Sequence, residues 1–269
     1  MAKVNSVSWG SRVLRLGGVI ALFSFFSVLP TAIKAAELSE IEARGYLNVA
    51  VKDNLRPLGF EDAEGNLQGF EIDLARRLAK EILGDAEAVE FKPVPNTDRL
   101  DVVLKGEVDL TIAQVSQTKA RSRIVNFSRH YYLDRISFVT KDDSINSKRD
   151  LSQDKIAILN ESNTIAEVRF KLPEAELIGV DSYQQALSLL EEGEATAFAG
   201  DHTVLAGWIQ QYPQYRLLSQ QISGEALAVV MPKGLQYSSL HRQVNQTILE
   251  LRESGWLEKK AKEWGLSLE

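Results

Sequence analysis

Residues 109–132 read DLTIAQVSQTKARSRIVNFSRHYY, a short apolar run that gives way to a polar turn. The segment 110–113 predicts a buried strand, and the segment 114–118 predicts an exposed turn at its end. Arg121 follows five residues after Ser116. A guanidinium offers a fixed fork of donors that matches a carboxylate, so these groups can converge on a small anion. The same pattern is also typical of a capped, solvated helix start, and both interpretations remain open at this point.

The whole string carries an apolar strand ending in DLTIA, then S-x-T-x-x-R, then V-x-F-S-x-x-Y-Y. In this it resembles family 3 of the extracytoplasmic solute-binding proteins, the amino-acid receptors of ABC importers. The resemblance extends from about residue 45 to residue 264. It implies an α/β fold of the two-lobed periplasmic binding protein type (type II). Each lobe is then a mostly parallel sheet flanked by helices, and the ligand cleft lies between the lobes.

Strand and helix patterns alternate along the chain and restart after the charged segment 141–150. This alternation implies a mostly parallel sheet covered by helices in each half. We expect lobe I to comprise residues 37–131 and 232–269, and lobe II to comprise residues 132–231 with the hinge strands at its ends. The family topology implies that the last helices return to lobe I.

The N-terminus has the order of a secretory signal peptide, which we predict for residues 1–36. Basic residues precede an apolar run at 16–29 that is short for a membrane span, and small residues including Ala35 and Ala36 follow. An uncleaved N-terminal anchor is the alternative. Removing residues 1–36 deletes four basic and no acidic residues, and takes the formal charge from −6 to −10.

The composition is that of a soluble globular protein, with 44% hydrophobic and 25% charged residues in a chain of 269. A mature chain this acidic is a poor candidate for binding nucleic acid or anionic lipid. The sequence has no cysteine, so neither a disulfide nor a lipid-modified cysteine anchor can form. We therefore expect a periplasmic protein, and the family implies a monomer that delivers its ligand to the membrane permease of an ABC transporter.

The resemblance implies a first set of ligand-binding residues in lobe I. Arg121 and Ser116 match the positions that hold the α-carboxylate of the ligand. Gln114 stands where the family often has a small residue or a hydroxyl contacting the α-amino group, and this departure leaves its role open.

A second set is implied in lobe II. The turn at 161–163, with Ser162 and Asn163, matches a family turn whose glycine is replaced here. Asp201 matches an aspartate placed to pair with the ligand's ammonium group. The alternative for Asp201 is the N-cap of the helix that follows it.

Lys52 and Arg99 match positions that carry basic residues in the acidic-amino-acid branch of the family. Two more cations would favour glutamate or aspartate by Coulomb attraction. Solvated surface charges are the alternative for both, and a neutral polar ligand such as glutamine is the alternative specificity. Phe60 and Tyr132 are expected to wall the pocket, with core packing as the alternative.

No catalytic residues, metal site or cofactor are predicted. The three histidines are scattered singly without the spacing of metal ligands. The alternative from another class is an enzyme, because a cyclohexadienyl or arogenate dehydratase shares this fold. A carboxyl group such as that of Glu61, Glu161 or Glu225 would then act as the acid.

Overall fold

The computed structural model describes Met1 and residues 36–160, 162, 164–219, 222 and 224–266. The predicted signal peptide lies outside these residues except for Met1 and Ala36. The described helices and strands all belong to one compact unit. None of the helices in these ranges has both the length and the apolar composition needed to span a membrane.

The described helices are α1 (Leu38–Arg44), α2 (Phe70–Leu83), α3 (Asp101–Leu104), α4 (Thr164–Lys171), α5 (Tyr183–Glu192), α6 (His202–Gln211), α7 (Ser238–Glu253) and α8 (Trp256–Glu263). The described strands are β1 (Leu47–Val51), β2 (Asn54–Leu55), β3 (Gly59–Glu61), β4 (Leu67–Gln68), β5 (Val89–Pro93), β6 (Leu110–Thr111), β7 (Asn126–Thr140), β8 (Lys155–Leu159), β9 (Glu176–Val180), β10 (Ala197–Asp201), β11 (Arg216–Leu217) and β12 (Gly224–Met231). Short 3₁₀ turns lie at Arg121–Arg123 and Leu235–Tyr237.

A single long strand, β7, joins the two halves of the main sheet. The order is β5-β1-β6-β12-β7-β10-β8-β9, with β11 paired to β7. Strands β5, β1 and β6 are parallel to one another on one side, and β10, β8 and β9 are parallel on the other. Both β12 and β10 run antiparallel to β7. The predicted fold class, a mixed α/β architecture with mostly parallel sheets flanked by helices, is confirmed.

Apolar side chains gather in two regions. The first contains the buried residues of β1, β6, α2 and α7, and so draws on both ends of the described chain. The second contains buried residues of β8, β10, α4 and α5. Residues 227–231 of β12, the hinge strand expected at the end of lobe II, lie in the first region. They do so because β12 also pairs with β6 there.

Local sequence explains the ends of the long helices. In α2 the side chains of Ile72, Ala75, Leu78 and Ala79 are fully buried, as their helical spacing predicts. The helix ends at Gly84, whose φ of 85° is in the left-handed region. By contrast, α3 is only four residues long, and β6 covers only two residues of the strand predicted at 110–113.

Candidate functional site

The turn after β6 brings Ser116 and Arg121 together. Arg121 Nη1 donates to the Ser116 carbonyl oxygen at 2.9 Å, and the Arg121 backbone N–H donates to Thr118 Oγ1 at 3.2 Å. The Ser116 hydroxyl donates to a carboxylate oxygen of Glu225 on β12, and Ser116 forms a backbone bridge with Leu227. Arg121 begins a short 3₁₀ turn, so the capped-helix alternative describes at most a single turn of chain.

Gln114 is the residue around which the site is built. Its φ of 51° is unusual for a residue other than glycine. Its backbone N–H donates to Glu71 Oε1 at 2.7 Å, and its carbonyl oxygen accepts from Arg99 Nη1 at 2.7 Å. Its side-chain Nε2 donates to Asp201 Oδ2 at 3.2 Å and to Thr203 Oγ1 at 3.4 Å. Gln114 thereby links the turn after β6 to the end of β10 and the start of α6.

Arg99 reaches the same turn from the segment before α3. Besides Gln114, it donates to the carbonyl oxygens of Ala113 and Asn96, each at 3.0 Å. Burial, followed by the nearby charge of Arg121, lowers the pKa of the Arg99 guanidinium. Its donors therefore hold backbone carbonyls of the turn in place.

Lys52 follows β1 and is only 4% exposed, which rules out the alternative of a solvated surface charge. Its ammonium donates to the Val94 carbonyl oxygen at 2.8 Å. Burial lowers the pKa of Lys52, the Asp53 charge opposes this, and the Arg99 charge lowers it further. Lys52 thus lies within electrostatic range of Arg99 and forms no ion pair with the residues that the structure describes.

Sequence reasoning gave no role to Glu71, which proves to be central. It is fully buried near the start of α2, and its Oε1 accepts from the Tyr131 hydroxyl as well as from Gln114. Its Oε2 has no hydrogen-bond partner among the described residues. Burial raises the pKa of Glu71, and the two hydrogen bonds oppose that rise. The feature of the sequence that could have indicated this role is the position of a charged residue between the apolar Phe70 and Ile72.

Three carboxyl groups, from Asp134, Asp201 and Glu225, form what we call the acidic cluster. Asp134 is 2% exposed and accepts from the backbone N–H of Thr203 at 3.1 Å and from its hydroxyl. Burial raises the pKa of Asp134 to about 6. Burial, and then the charges of Asp134 and Glu225, raise the pKa of Asp201 to about 7. Asp134 and Glu225 face each other in the β7–β12 register, a juxtaposition that spacing in sequence could not reveal.

Asp201 stands at the N-cap position of α6, as its alternative interpretation proposed, but its side chain makes no capping hydrogen bond. Its carboxylate is instead directed to Gln114. The position of Asp201 is therefore that of a helix cap, whereas its side chain contacts the turn after β6.

The remaining predicted residues make other contacts. Phe60 packs edge-on against Trp264, with ring centroids 5.7 Å apart, and the Arg56 guanidinium lies 3.6 Å above its ring. Tyr132 is 1% exposed and packs in the first apolar region. Ser162 Oγ accepts from the backbone N–H of Thr164 at 3.1 Å, at the start of α4. Asn163 lies outside the described residues.

The arrangement is chemically asymmetric. Arg99 and Arg121 lie on the side of the β6 turn, and the acidic cluster lies where β7, β10 and β12 meet. Gln114 and Ser116 connect the two sides by hydrogen bonds. No group of three or more acidic or histidine side chains suited to a metal ion occurs within the described ranges. Positively and negatively charged groups therefore lie on different sides of this site, which we call dipolar.

Two α/β halves joined by the long strand β7 are the architecture that solute-binding proteins share. The profile of the bacterial extracellular solute-binding proteins, family 3, matches residues 47–267, and the chain belongs to that family. The glutamine-binding protein of Geobacillus stearothermophilus is 34% identical over 71% of this chain and 74% of its own. The glutamate-binding protein GluB of Corynebacterium glutamicum is 28% identical over 78% of this chain and 76% of its own.

A solved structure of an ancestral amino-acid-binding protein, described as a precursor of cyclohexadienyl dehydratase, is also similar. It superposes with a TM-score of 0.67 at 25% identity and covers 85% of this chain and 98% of its own. The relatives agree on solute binding and differ in the ligand that their names give.

Proposed function

We propose that the protein is the receptor of an ABC importer for an L-amino acid. The observation that carries the proposal is the dipolar site, in which two guanidinium groups lie opposite the acidic cluster. Arg121 with the Ser116 hydroxyl would take the α-carboxylate, since a guanidinium pairs with a carboxylate in a planar, bidentate manner. Asp201 would take the α-ammonium. The ligand's ammonium would then replace the Gln114 amide as the partner of Asp201.

For the ligand's side chain we propose an acidic group, that is, glutamate or aspartate. Arg99 lies within electrostatic range of both Arg121 and Lys52, and a second carboxylate would add to the charge of Glu71 in offsetting the repulsion of these cations. Glutamine is the second candidate. Two observations favour it: a relative named as glutamine-binding, and the hydrogen bonds that Lys52 and Arg99 already make to backbone carbonyls.

We further propose that lobe I comprises residues 37–131 and 232–269, and that lobe II comprises residues 132–231 with the hinge strands at its ends. Ligand contacts from both lobes stabilise a closed state, because closure is favoured only by contacts absent from the open state. Ser162 and Asn163 would contribute from lobe II, and Phe60 and Tyr132 would bound the pocket. A monomer in the periplasm, presenting this closed state to a membrane permease, completes the proposal.

A dehydratase is the second function that an observation favours, since the similar ancestral structure is a precursor of such an enzyme. The raised pKa of Asp201 would also suit a general acid. Loss of arogenate or prephenate in the presence of the protein would support this function. No turnover together with tight amino-acid binding favours the receptor.

Calorimetry of the refolded protein with glutamate, aspartate and glutamine tests the receptor proposal. Arg121→Ala should lower the affinity for every amino acid by about 100-fold or more, since truncating one partner of a desolvated charge pair costs about 2–5 kcal/mol. The exposed Arg129 offers a control of the same chemistry, and Arg129→Ala should leave binding unchanged. A wild-type protein that binds none of the twenty amino acids would refute the proposal.

Arg99→Ala tests the specificity. Because Arg99 supports the carbonyls of Ala113 and Gln114, some loss for every ligand is expected. The informative quantity is the ratio of glutamate to glutamine affinity, which should fall about tenfold, as one lost ionic contact predicts. An unchanged ratio would remove the argument for an acidic ligand.

A further inference from the structure

One face of α6 meets the first apolar region. Thr203, Ala206, Gly207 and Gln210 are spaced at i, i+3, i+4 and i+7, which places them on one side of a helix. The adjacent face of α6 carries Leu205 and Trp208, which pack in the second region. The helix is thus anchored in one half of the molecule and turns this face toward the other half.

Three of the four residues make ordinary contacts across this boundary. Thr203 Oγ1 accepts from the Gln114 amide at 3.4 Å. Ala206 is 3% exposed and packs among the side chains of the first apolar region. Gln210 Nε2 donates to the Trp264 carbonyl oxygen at 3.2 Å.

Gly207 makes the closest approach of the four. A Cβ atom at this position would lie 2.2 Å from the Arg56 carbonyl oxygen and 2.9 Å from the Arg56 carbonyl carbon. These are backbone atoms, so no side-chain rotation can make room for a methyl group. The α6 face and the segment at Arg56 can therefore reach this distance only when residue 207 lacks a side chain.

The surroundings of this contact are loosely filled. A cavity of about 110 Å³ lies beside it, lined by Asn54, Leu55 and Arg56 on one side and by residues of α5 and α6, including Trp208, on the other. Next to this cavity, the approach of the two sides is limited by the backbone contact at Gly207.

We propose that Gly207 is a positioning residue that sets how closely the two lobes approach when ligand is bound. The inference rests on the proposed function, because it assigns Gly207 to the closed state of that receptor. A side chain at position 207 would hold the lobes apart and leave the ligand contacts of Asp201 incomplete, although Gly207 itself does not touch the ligand.

Gly207→Ala tests the inference through two measurements, the melting temperature and the ligand affinity. A purely structural role of Gly207 predicts that both fall, whereas the proposed role predicts that only the affinity falls. Alanine is the better helix former, so the melting temperature of the ligand-free variant should stay equal or rise. The affinity for the amino acid that the wild type binds should fall about 5- to 150-fold, the range expected for a coupling between lobes. Ser188→Ala on the exposed side of α5 is the matched control, since it also improves helix propensity but lies away from the boundary.

Small-angle scattering adds a measure of closure. Ligand should reduce the radius of gyration of the wild type but not of Gly207→Ala, and the two proteins should have equal radii without ligand. Unchanged affinity overturns the inference, as does a melting temperature several degrees lower without ligand, which would make the contact a permanent part of the fold.

Failure of the proposed function would look different. If the wild type binds no amino acid, the receptor proposal fails, and the inference about Gly207 fails with it because it rests on that proposal. If the wild type binds an amino acid and Gly207→Ala binds it equally well, only the inference about Gly207 is overturned.

Discussion

Replacing Asp201 with asparagine should stabilise the ligand-free protein at alkaline pH and weaken ligand binding. In the acidic cluster the pKa of Asp201 rises from its ordinary value of 3.8 to about 7. A rise of that size corresponds to about 4 kcal/mol as an upper limit. Because Asp134 and Glu225 share the repulsion and solvent screens part of it, we expect about 2 kcal/mol at pH 8.

The direction follows from proton binding. Between about pH 4 and pH 7 the native Asp201 retains a proton that the unfolded chain releases. The free energy of unfolding is therefore highest at the acidic end of this range and falls as the pH rises toward 7. Asparagine carries no titratable proton, so Asp201→Asn should remove much of this fall, leaving the smaller contribution from Asp134.

Urea unfolding of the ligand-free wild type and variant at pH 5 and pH 8 measures the effect. The variant should gain about 2 kcal/mol over the wild type at pH 8 and roughly 0.8 kcal/mol at pH 5, where only the first part of the fall has occurred. Glu174→Gln, at an exposed carboxyl group, is the charge-matched control and should show neither change. Equal pH dependence in the wild type and Asp201→Asn would refute the account of the acidic cluster.

Three further substitutions probe the support of the site. Arg44→Ala removes the ion-pair partner of Asp109, whose side chain is 3% exposed. The free energy of unfolding in urea should fall by about 3 kcal/mol, while the ligand affinity should stay within about twofold. Gly69 has a φ of 131°, and a Cβ atom added there would lie 2.2 Å from the Leu58 carbonyl oxygen. Gly69→Ala should therefore lower the free energy of unfolding by about 3 kcal/mol or more, measured as a lower melting temperature. Glu71→Ala leaves two buried donors without their acceptor and should cost about 3 kcal/mol, whereas Glu71→Gln keeps an acceptor and should cost much less. Equal losses for the two Glu71 variants would contradict this role.

The sequence predicts best where neighbours in the chain are neighbours in space. The apolar spacing of α2 and its glycine stop were readable because a helix repeats every 3.6 residues. Ser116 and Arg121 could be placed together because five residues of one turn separate them.

Contacts between distant segments could not be predicted in this way. Glu71 holds Gln114 from 43 residues away, and Asp134 reaches Thr203 across 69 residues. The direction of a long side chain is equally hidden: Lys52 and Arg99 stand at the predicted positions, yet their donors reach backbone carbonyls. The position of such a residue in the sequence indicates where its backbone lies, but it does not indicate where the charged end of its side chain lies.

The pairing of β12 between β6 and β7 has a consequence for the order in which the newly made chain can fold. More than 100 residues separate β6 from β12, so a chain that emerges N-terminus first presents β6 well before the strand that pairs with it. The second apolar region draws on residues 136–222, a continuous stretch, and lacks no later segment. The part of the molecule that is synthesised first is therefore completed last, and its N-terminal strands must wait with an unpaired edge until the C-terminal ones arrive.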